Sequence, residues 1–307
     1  MRRFQYCLFV VCIFLCEPII AQHPQPAAVS ESTSIIPFQL TAYNNLSVQA
    51  ILNKKDTVHL MFHTASGSVF LTEEAVKKLQ TLHFDGTDTL KSWGGGGNAR
   101  FSQHNFLQIG SLQWDDMSIW EDKYSGQYTD GKFGINLFAD KVVEIDFDKQ
   151  LIIVHTSLPH KIKKYEKLKM TFRNDCMFIE SLCKTGDSTF TNKFLIHTGY
   201  AGAALLDDQF VHDNKIAEKL KIVGEKEMKD SYGNIMKTQK AILPAFTIGH
   251  TTLSHVPVGF FAGNIGRQKM SIMGGDILKR FNIIIDARRE YIYLKPNRLK
   301  KLDYTNV

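Results

Sequence analysis

Two histidines, His63 and His197, close two short apolar segments of the same design. One reads Leu60-Met61-Phe62-His63-Thr64-Ala65-Ser66, the other Phe194-Leu195-Ile196-His197-Thr198-Gly199-Tyr200. Each is strand-like and ends in His-Thr and a small residue. Thr57-Val58-His59 leads into the first and Phe190-Thr191-Asn192 into the second. Imidazole is a general acid and base near neutral pH. Two imidazoles sharing one proton would titrate as a coupled unit and could activate water. Two neutral imidazoles converging on one point would instead make half of a divalent-metal site. Two ligands are too few for tight zinc, and Tyr200, Tyr232 and His104 are the candidates for a third. The remaining histidines lie near turns or strand ends and show no His-Glu-x-x-His spacing.

Stepping outward, strand-like runs cover Ile36 to Ala42, Leu46 to Leu52 and Val58 to Phe62, with Asn44-Asn45 and Asn53 to Asp56 as turns. Val69-Phe70-Leu71 reads as a further strand. Thr72-Glu73-Glu74-Ala75 opens a short helix, with Thr72 as its N-cap. Gly94 to Gly97 is too flexible for a strand and marks a mobile hairpin tip. That run lacks a Gly-Lys-Ser/Thr ending, so it is no phosphate loop. Asp207-Asp208 starts a helix running to Leu220, with the acids at the positive end of its dipole. Asp276 and Asp286 read as loop and turn residues.

The second half of the chain replays the first. Ser231-Tyr232-Gly233 matches Ser92-Trp93-Gly94, and the step from Gly94 to Gly110 equals that from Gly233 to Gly249. Ile272-Met273-Gly274 matches Lys132-Phe133-Gly134, and Phe281 to Asp286 matches Lys141 to Asp146. A period of half the chain means a duplicated lobe and not a solenoid.

In this order of motifs the sequence resembles the pepsin/retropepsin-like aspartic peptidases, of the two-lobed, bacterial exported type. That family carries Asp-Thr-Gly-Ser or Asp-Thr-Gly-Ala once in each lobe. Here both aspartate positions hold histidine, His63 and His197. The resemblance implies an all-β fold (mainly β with short helices) in two lobes, with His63 facing His197 at the floor of a cleft. Thr64 and Thr198 would match the threonines that cross-link the loops beneath the dyad. An apolar-apolar-Gly segment threads beside each loop in the family; Ile272-Met273-Gly274 fits it, while Lys132 puts a charge where an apolar residue is usual. Trp93, Gly94, Gly95 and Gly96 would belong to a flap-like hairpin over the cleft. With Tyr200 and Tyr232 they are the expected substrate-binding residues.

In the family two carboxyl groups about 3 Å apart share one proton, because like charges that close cannot both ionise. An imidazole offers one donor and one acceptor where a carboxylate offers two oxygens, so the symmetric hold on water is lost. The reading that follows is a peptide-binding homologue that is not an active aspartic protease. The alternative is a hydrolase using a His-His dyad, with or without a metal at His63 and His197. No cofactor is otherwise expected. The expected partner is an extended peptide or unfolded protein segment.

The chain has 307 residues and a net charge of +6. Its Lys and Arg are scattered rather than striped, which points away from nucleic acid. Arg2 and Arg3 precede an apolar run ending near Leu15, with Ala21 before Gln22: a secretory signal peptide over residues 1–21, too short to span a membrane. Export to the periplasm or the exterior follows, and a lipid-bearing Cys16 is the weaker option because Phe14 and Leu15 are bulky. Residues 22–34 read as a disordered lead-in, 35–157 as lobe one, 158–165 as a linker, 166–297 as lobe two and 298–307 as a poorly ordered tail. Cys176 and Cys183 fall on opposite faces of one strand, roughly 23 Å apart at about 3.3 Å per residue, so two free thiols are expected.

Overall fold

The computed structural model describes residues 33–92, 95–229, 235–261 and 268–305. The signal-peptide segment and nearly all of the lead-in lie outside these residues. Thr33 and Ser34, assigned to the lead-in by sequence, already belong to the strand Thr33–Pro37.

Three sheets make the fold. Two have eight strands each, and their orders correspond strand for strand. In the first half the order is Gln39–Leu40, Leu46–Leu52, Asp56–His63, Gly131–Gly134, Val69–Thr72, Leu112–Asp122, Gly95–Ile109, Gly86–Ser92. In the second it is Thr171–Arg173, Cys176–Thr185, Ser188–His197, Ser271–Gly274, Ala204–Leu205, Thr251–Phe261, Ile235–Ile248, Ile222–Lys229. Even the extra pairing that curls each sheet on itself recurs, Leu46–Leu52 with Gly95–Ile109 and Cys176–Thr185 with Ile235–Ile248. Gly110 and Gly249, matched by sequence, turn the same hairpin with φ of +57° and +54°, a conformation that favours glycine.

The third sheet joins the halves. Its six strands run antiparallel in the order Thr33–Pro37, Leu151–His155, Val142–Asp146, Phe281–Ile285, Tyr291–Pro296, Glu166–Lys169, three from each half. The seam is Val143 opposite Ile285, Glu144 opposite Ile284 and Ile145 opposite Ile283. All six residues are fully buried, so the joint is a core and not a hinge surface.

Alternation places the side chains. Along Cys176–Thr185 every second residue from Met177 is buried, the signature of a sheet with one covered face. Cys183 is buried and Cys176 half-buried, and both are free thiols. Burial raises both thiols, Cys183 to about 12, which leaves them unreactive. In lobe one Phe62 packs on Phe133 and Phe138, with ring centroids 5.3 and 5.9 Å away. In lobe two Phe194 meets Phe246 edge-on at 4.9 Å. These rings sit directly behind the His-Thr segments.

Four sequence expectations change. Gly95, Gly96 and Gly97 are in a strand, opposite Ser92, Lys91 and Leu90, because ladder hydrogen bonds to a full-length partner outweigh glycine's entropy. The helix expected from Asp208 to Leu220 is two short ones, Asp208–Asp213 and Ile216–Lys219. Lys215 breaks it in a left-handed conformation. Asp276 is no loop residue but lies buried in the helix Gly275–Leu278, 2.7 Å from Lys279. The tail is held: Arg280, buried, donates to the carbonyls of Lys300 and Leu302 at 2.9 and 2.6 Å. Thr72 does cap its helix, accepting from the Ala75 amide, and Asp286 does close a turn, accepting from the Glu290 and Tyr291 amides. Among the described residues no helix is long and apolar enough to cross a membrane.

Truncating the aromatic cluster tests whether it holds the first lobe. Phe133→Ala should cost about 3–5 kcal/mol in chemical denaturation. A loss below about 1 kcal/mol would mean that the ring is dispensable.

Candidate functional site

His63 and His197 end equivalent strands, and each strand is flanked by a parallel partner. His63 lies opposite Gly134 and His197 opposite Gly274. Each chain then turns beneath its partner glycine. A Cβ at Gly134 would overlap the Ser66 carbonyl oxygen, and one at Gly274 would overlap that of Gly202. Only glycine lets the two segments pass this closely.

The threonines lock the two turns together. The Thr198 hydroxyl accepts from the Thr64 amide at 3.0 Å and donates to the Phe62 carbonyl at 2.7 Å. Reciprocally, the Thr64 hydroxyl accepts from the Thr198 amide at 3.1 Å and donates to the Ile196 carbonyl at 2.7 Å. Both threonines are 0 % exposed, so these four bonds face no competition from water. These bonds tie the loop after His63 to the loop after His197.

With the loops so fixed, the preceding residues must face each other. The imidazole centroids of His63 and His197 are 4.5 Å apart, with the rings inclined at 59°. His63 Nδ1 accepts from the Ala65 amide at 3.2 Å, so its proton sits on Nε2. His197 Nδ1 is buried and has no hydrogen-bond partner. The two rings are therefore not equivalent. Gly199 sits against the Cδ2–Nε2 edge of His63, where a Cβ would overlap the ring.

Both imidazoles are held uncharged. Each residue keeps part of its surface open, yet surrounding protein desolvates the ring, and that is the leading cause in both. His197 falls to about 4. His63 falls well below its ordinary value, with the charge of His197 and then that of Lys132 adding to desolvation. Lys132 also acts on His197. Register explains why: Lys132 lies opposite Met61, on the sheet face that carries His63 two residues on. Its ammonium is 2.6 Å from Asp122 Oδ2 and 4.6 Å above the Phe70 ring. The Ser125 hydroxyl also donates to Asp122. Asp122 was missed in the sequence. The signal was Lys132 itself, since a lysine in an otherwise apolar buried strand needs a counter-charge.

The other expected site residues are in part described and in part not. Tyr200 packs across Gly202 and Gly274 and joins Leu205 and Phe261 in a small apolar cluster. Burial pushes its phenol up, so it stays a neutral hydroxyl. Gly95 and Gly96 lie on the hairpin at the far end of the sheet order from Asp56–His63. Trp93, Gly94 and Tyr232 lie outside the described residues. His104, offered as a metal ligand, is exposed and paired with Asp116 at 2.5 Å, so it is no third ligand for the histidine pair. Among the described residues no group of three or more His, Cys, Asp and Glu could hold a metal ion.

Two outcomes follow. Because both folded-state values lie below the ordinary 6.5, the unfolded chain takes up protons first as the pH falls. Stability tied to the pair is complete above that value and is lost as the pH drops toward 4. Melting curves should show this, and a chain with His63→Leu and His197→Leu should show a flatter profile; equal slopes would refute it. Separately, Gly199→Ala should turn the His63 ring, moving its imidazole NMR signals while the Phe194 core stays intact. Unmoved signals would mean that the contact is slack.

No protein-family model matches the chain, and no curated protein does. Among solved structures it is similar to an aspartic proteinase from Irpex lacteus, with 14% sequence identity and a TM-score of 0.60, over 88% of this chain and 99% of that one. Identity that low speaks to fold alone. On that likeness, and on its duplicated sheets, the chain has the two-lobed, mainly β fold of the pepsin-like aspartic proteinases.

Proposed function

We propose that the protein is an exported homologue of the aspartic peptidases that binds an extended peptide or unfolded segment in a cleft between its lobes and does not cleave it. His63 and His197 stand, in this reading, where that family carries its two aspartates. The observation that carries it is the pair itself: two uncharged imidazoles on a frame whose threonine bridge is complete. A carboxyl pair sharing one proton has a base for water and an acid for the carbonyl. Here the proton of His63 is on Nε2, so that edge donates and offers no lone pair to water. The nearby Lys132 ammonium further disfavours protonation, which removes the acid. Peptide capture needs neither. It needs backbone hydrogen bonds along an extended ligand and side-chain pockets, which the fold supplies in its active relatives.

The test uses the mature chain from Gln22 on, against a denatured protein across pH, with and without chelator. The expected result is binding without turnover, indifferent to chelator. Robust cleavage would overturn the reading; cleavage lost with chelator would point to a metal at the histidines, and cleavage rising through neutral pH to a metal-free dyad. The double variant His63→Asp with His197→Asp should gain weak cleavage at acid pH, while either single change gives a mixed pair with little activity. Adding Lys132→Ile together with Asp122→Asn should raise that gain, because the ammonium would otherwise pair with the new carboxylates and stop them sharing a proton, and the paired change leaves no buried carboxylate without its counter-charge.

A further inference from the structure

The tail beyond the last strand ends in a buried polar junction between the lobes. Arg280, 1 % exposed, is its anchor. The guanidinium donates to the carbonyls of Leu299, Lys300, Leu302 and Asp303, and the Tyr304 ring stacks 3.9 Å from it. Wrapped this way, the tail delivers Thr305 to a fixed point. There its amide donates to Asp276 Oδ2 at 2.8 Å, and its hydroxyl accepts from Lys279 Nζ at 3.3 Å and from Asn44 Nδ2 at 3.1 Å.

Asn44 belongs to the other lobe. It sits in the turn after Gln39–Leu40, buried, with φ of +61°. Its Oδ1 accepts from Lys279 Nζ at 2.9 Å. Its Nδ2 also donates, at 2.8 Å, to the carbonyl of Ala201, in the loop that follows His197. The lobes are tight here: a Cβ at Gly275 would come 2.8 Å from Asn44 Cβ. The same loop is held from below, where the amides of Gly274, Gly275 and Asp276 donate to the carbonyls of Ala203, Tyr200 and Gly202.

We infer that the C-terminal tail is a strap that completes this junction and thereby fixes the loop carrying His197 against lobe one. The physical reason is the cost of what the tail covers. Without it, Arg280 loses the carbonyls of Leu299, Lys300, Leu302 and Asp303 and keeps only Asp276 among the described residues, and a buried cation short of acceptors is unfavourable. Asp276 loses the Thr305 amide, and water reaches Lys279 and Asn44. Asn44 then no longer holds Ala201 in a dry, fully bonded site. The spacing of His63 and His197 is thus set from two sides, by the threonine bridge beneath and by the strap at the lobe junction. A tail pulled away, by truncation or by a partner that captures it, loosens the histidine loop without touching it.

The test is hydrogen exchange and imidazole NMR on the mature chain ending at Arg298, beside the full mature chain. The amides of Gly274, Gly275 and Asp276 should exchange about tenfold faster or more, and the His197 ring signals should shift, while the amides of Ile283 to Ile285 stay protected. A folded truncated chain with unchanged loop exchange and unchanged His197 signals would overturn the strap. Should truncation prevent folding, Thr305→Val and Asn44→Ala decide instead. Both keep the tail on Arg280, and both should speed exchange in the same three amides. No change in either variant would overturn the proposal equally. None of these readouts involves peptide binding, so the strap and the proposed function stand or fall separately.

Discussion

Two buried threonine hydroxyls, each accepting an amide from the opposite loop and donating to a carbonyl of the opposite strand, are the constraint on which the centre of this molecule depends. The bridge closes only if both loops reach the same height. That requires both strands to end in register with their glycine partners, His63 with Gly134 and His197 with Gly274. It also requires the two lobes to be joined rigidly, which the buried seam of the six-stranded sheet provides. Once these conditions hold, the residues before the threonines face each other whatever their chemistry. The frame specifies position and leaves identity open.

Histidine in those positions changes the sign of the site. Two carboxyl groups so close would share a proton and keep a negative charge. Two imidazoles in the same desolvated spot shed their protons and carry none. Among the described residues, Lys132 is the ammonium that acts on both rings, and it is paired with Asp122, both almost wholly buried. Such a pair tolerates burial because each charge is the other's partner, and removing either would leave an uncompensated ion. Burial raises Asp122 while Lys132 opposes that rise, the balance expected of an ion pair kept in a poor solvent.

Much of this was legible in the sequence because it is written twice. One His-Thr dipeptide is noise; two, each followed in the same order by a turn glycine and a strand glycine, define a duplicated lobe and even the residues that meet. What a single chain could not give was anything decided by a partner across the fold. The glycine run looked too flexible for a strand because its pairing with the adjacent Leu90 to Ser92 is made by backbone groups, which no side-chain pattern advertises. The tail looked disordered because its composition is basic and polar, and the acceptors it offers are backbone carbonyls, which no sequence pattern advertises. Asp276 looked like a loop residue although Lys279, three residues on, is a local partner; what the sequence hid is the distant Thr305 amide, from which it accepts.

The duplication is not exact where it matters, and the differences make the surroundings of the two imidazoles unlike. Position 132 is lysine, whereas its counterpart Ile272 packs beside Tyr200. Position 65 supplies an amide to His63 Nδ1, whereas His197 Nδ1 receives none. His63 thus has a fixed tautomer and the neighbouring ammonium on its own sheet face. His197 has a tautomer that its own loop does not fix. Burial is the leading cause that lowers both rings, and the Lys132 ammonium lowers both as well. A frame built with two-fold symmetry has become a site with two unlike members, one ring with an amide on its Nδ1 and one without.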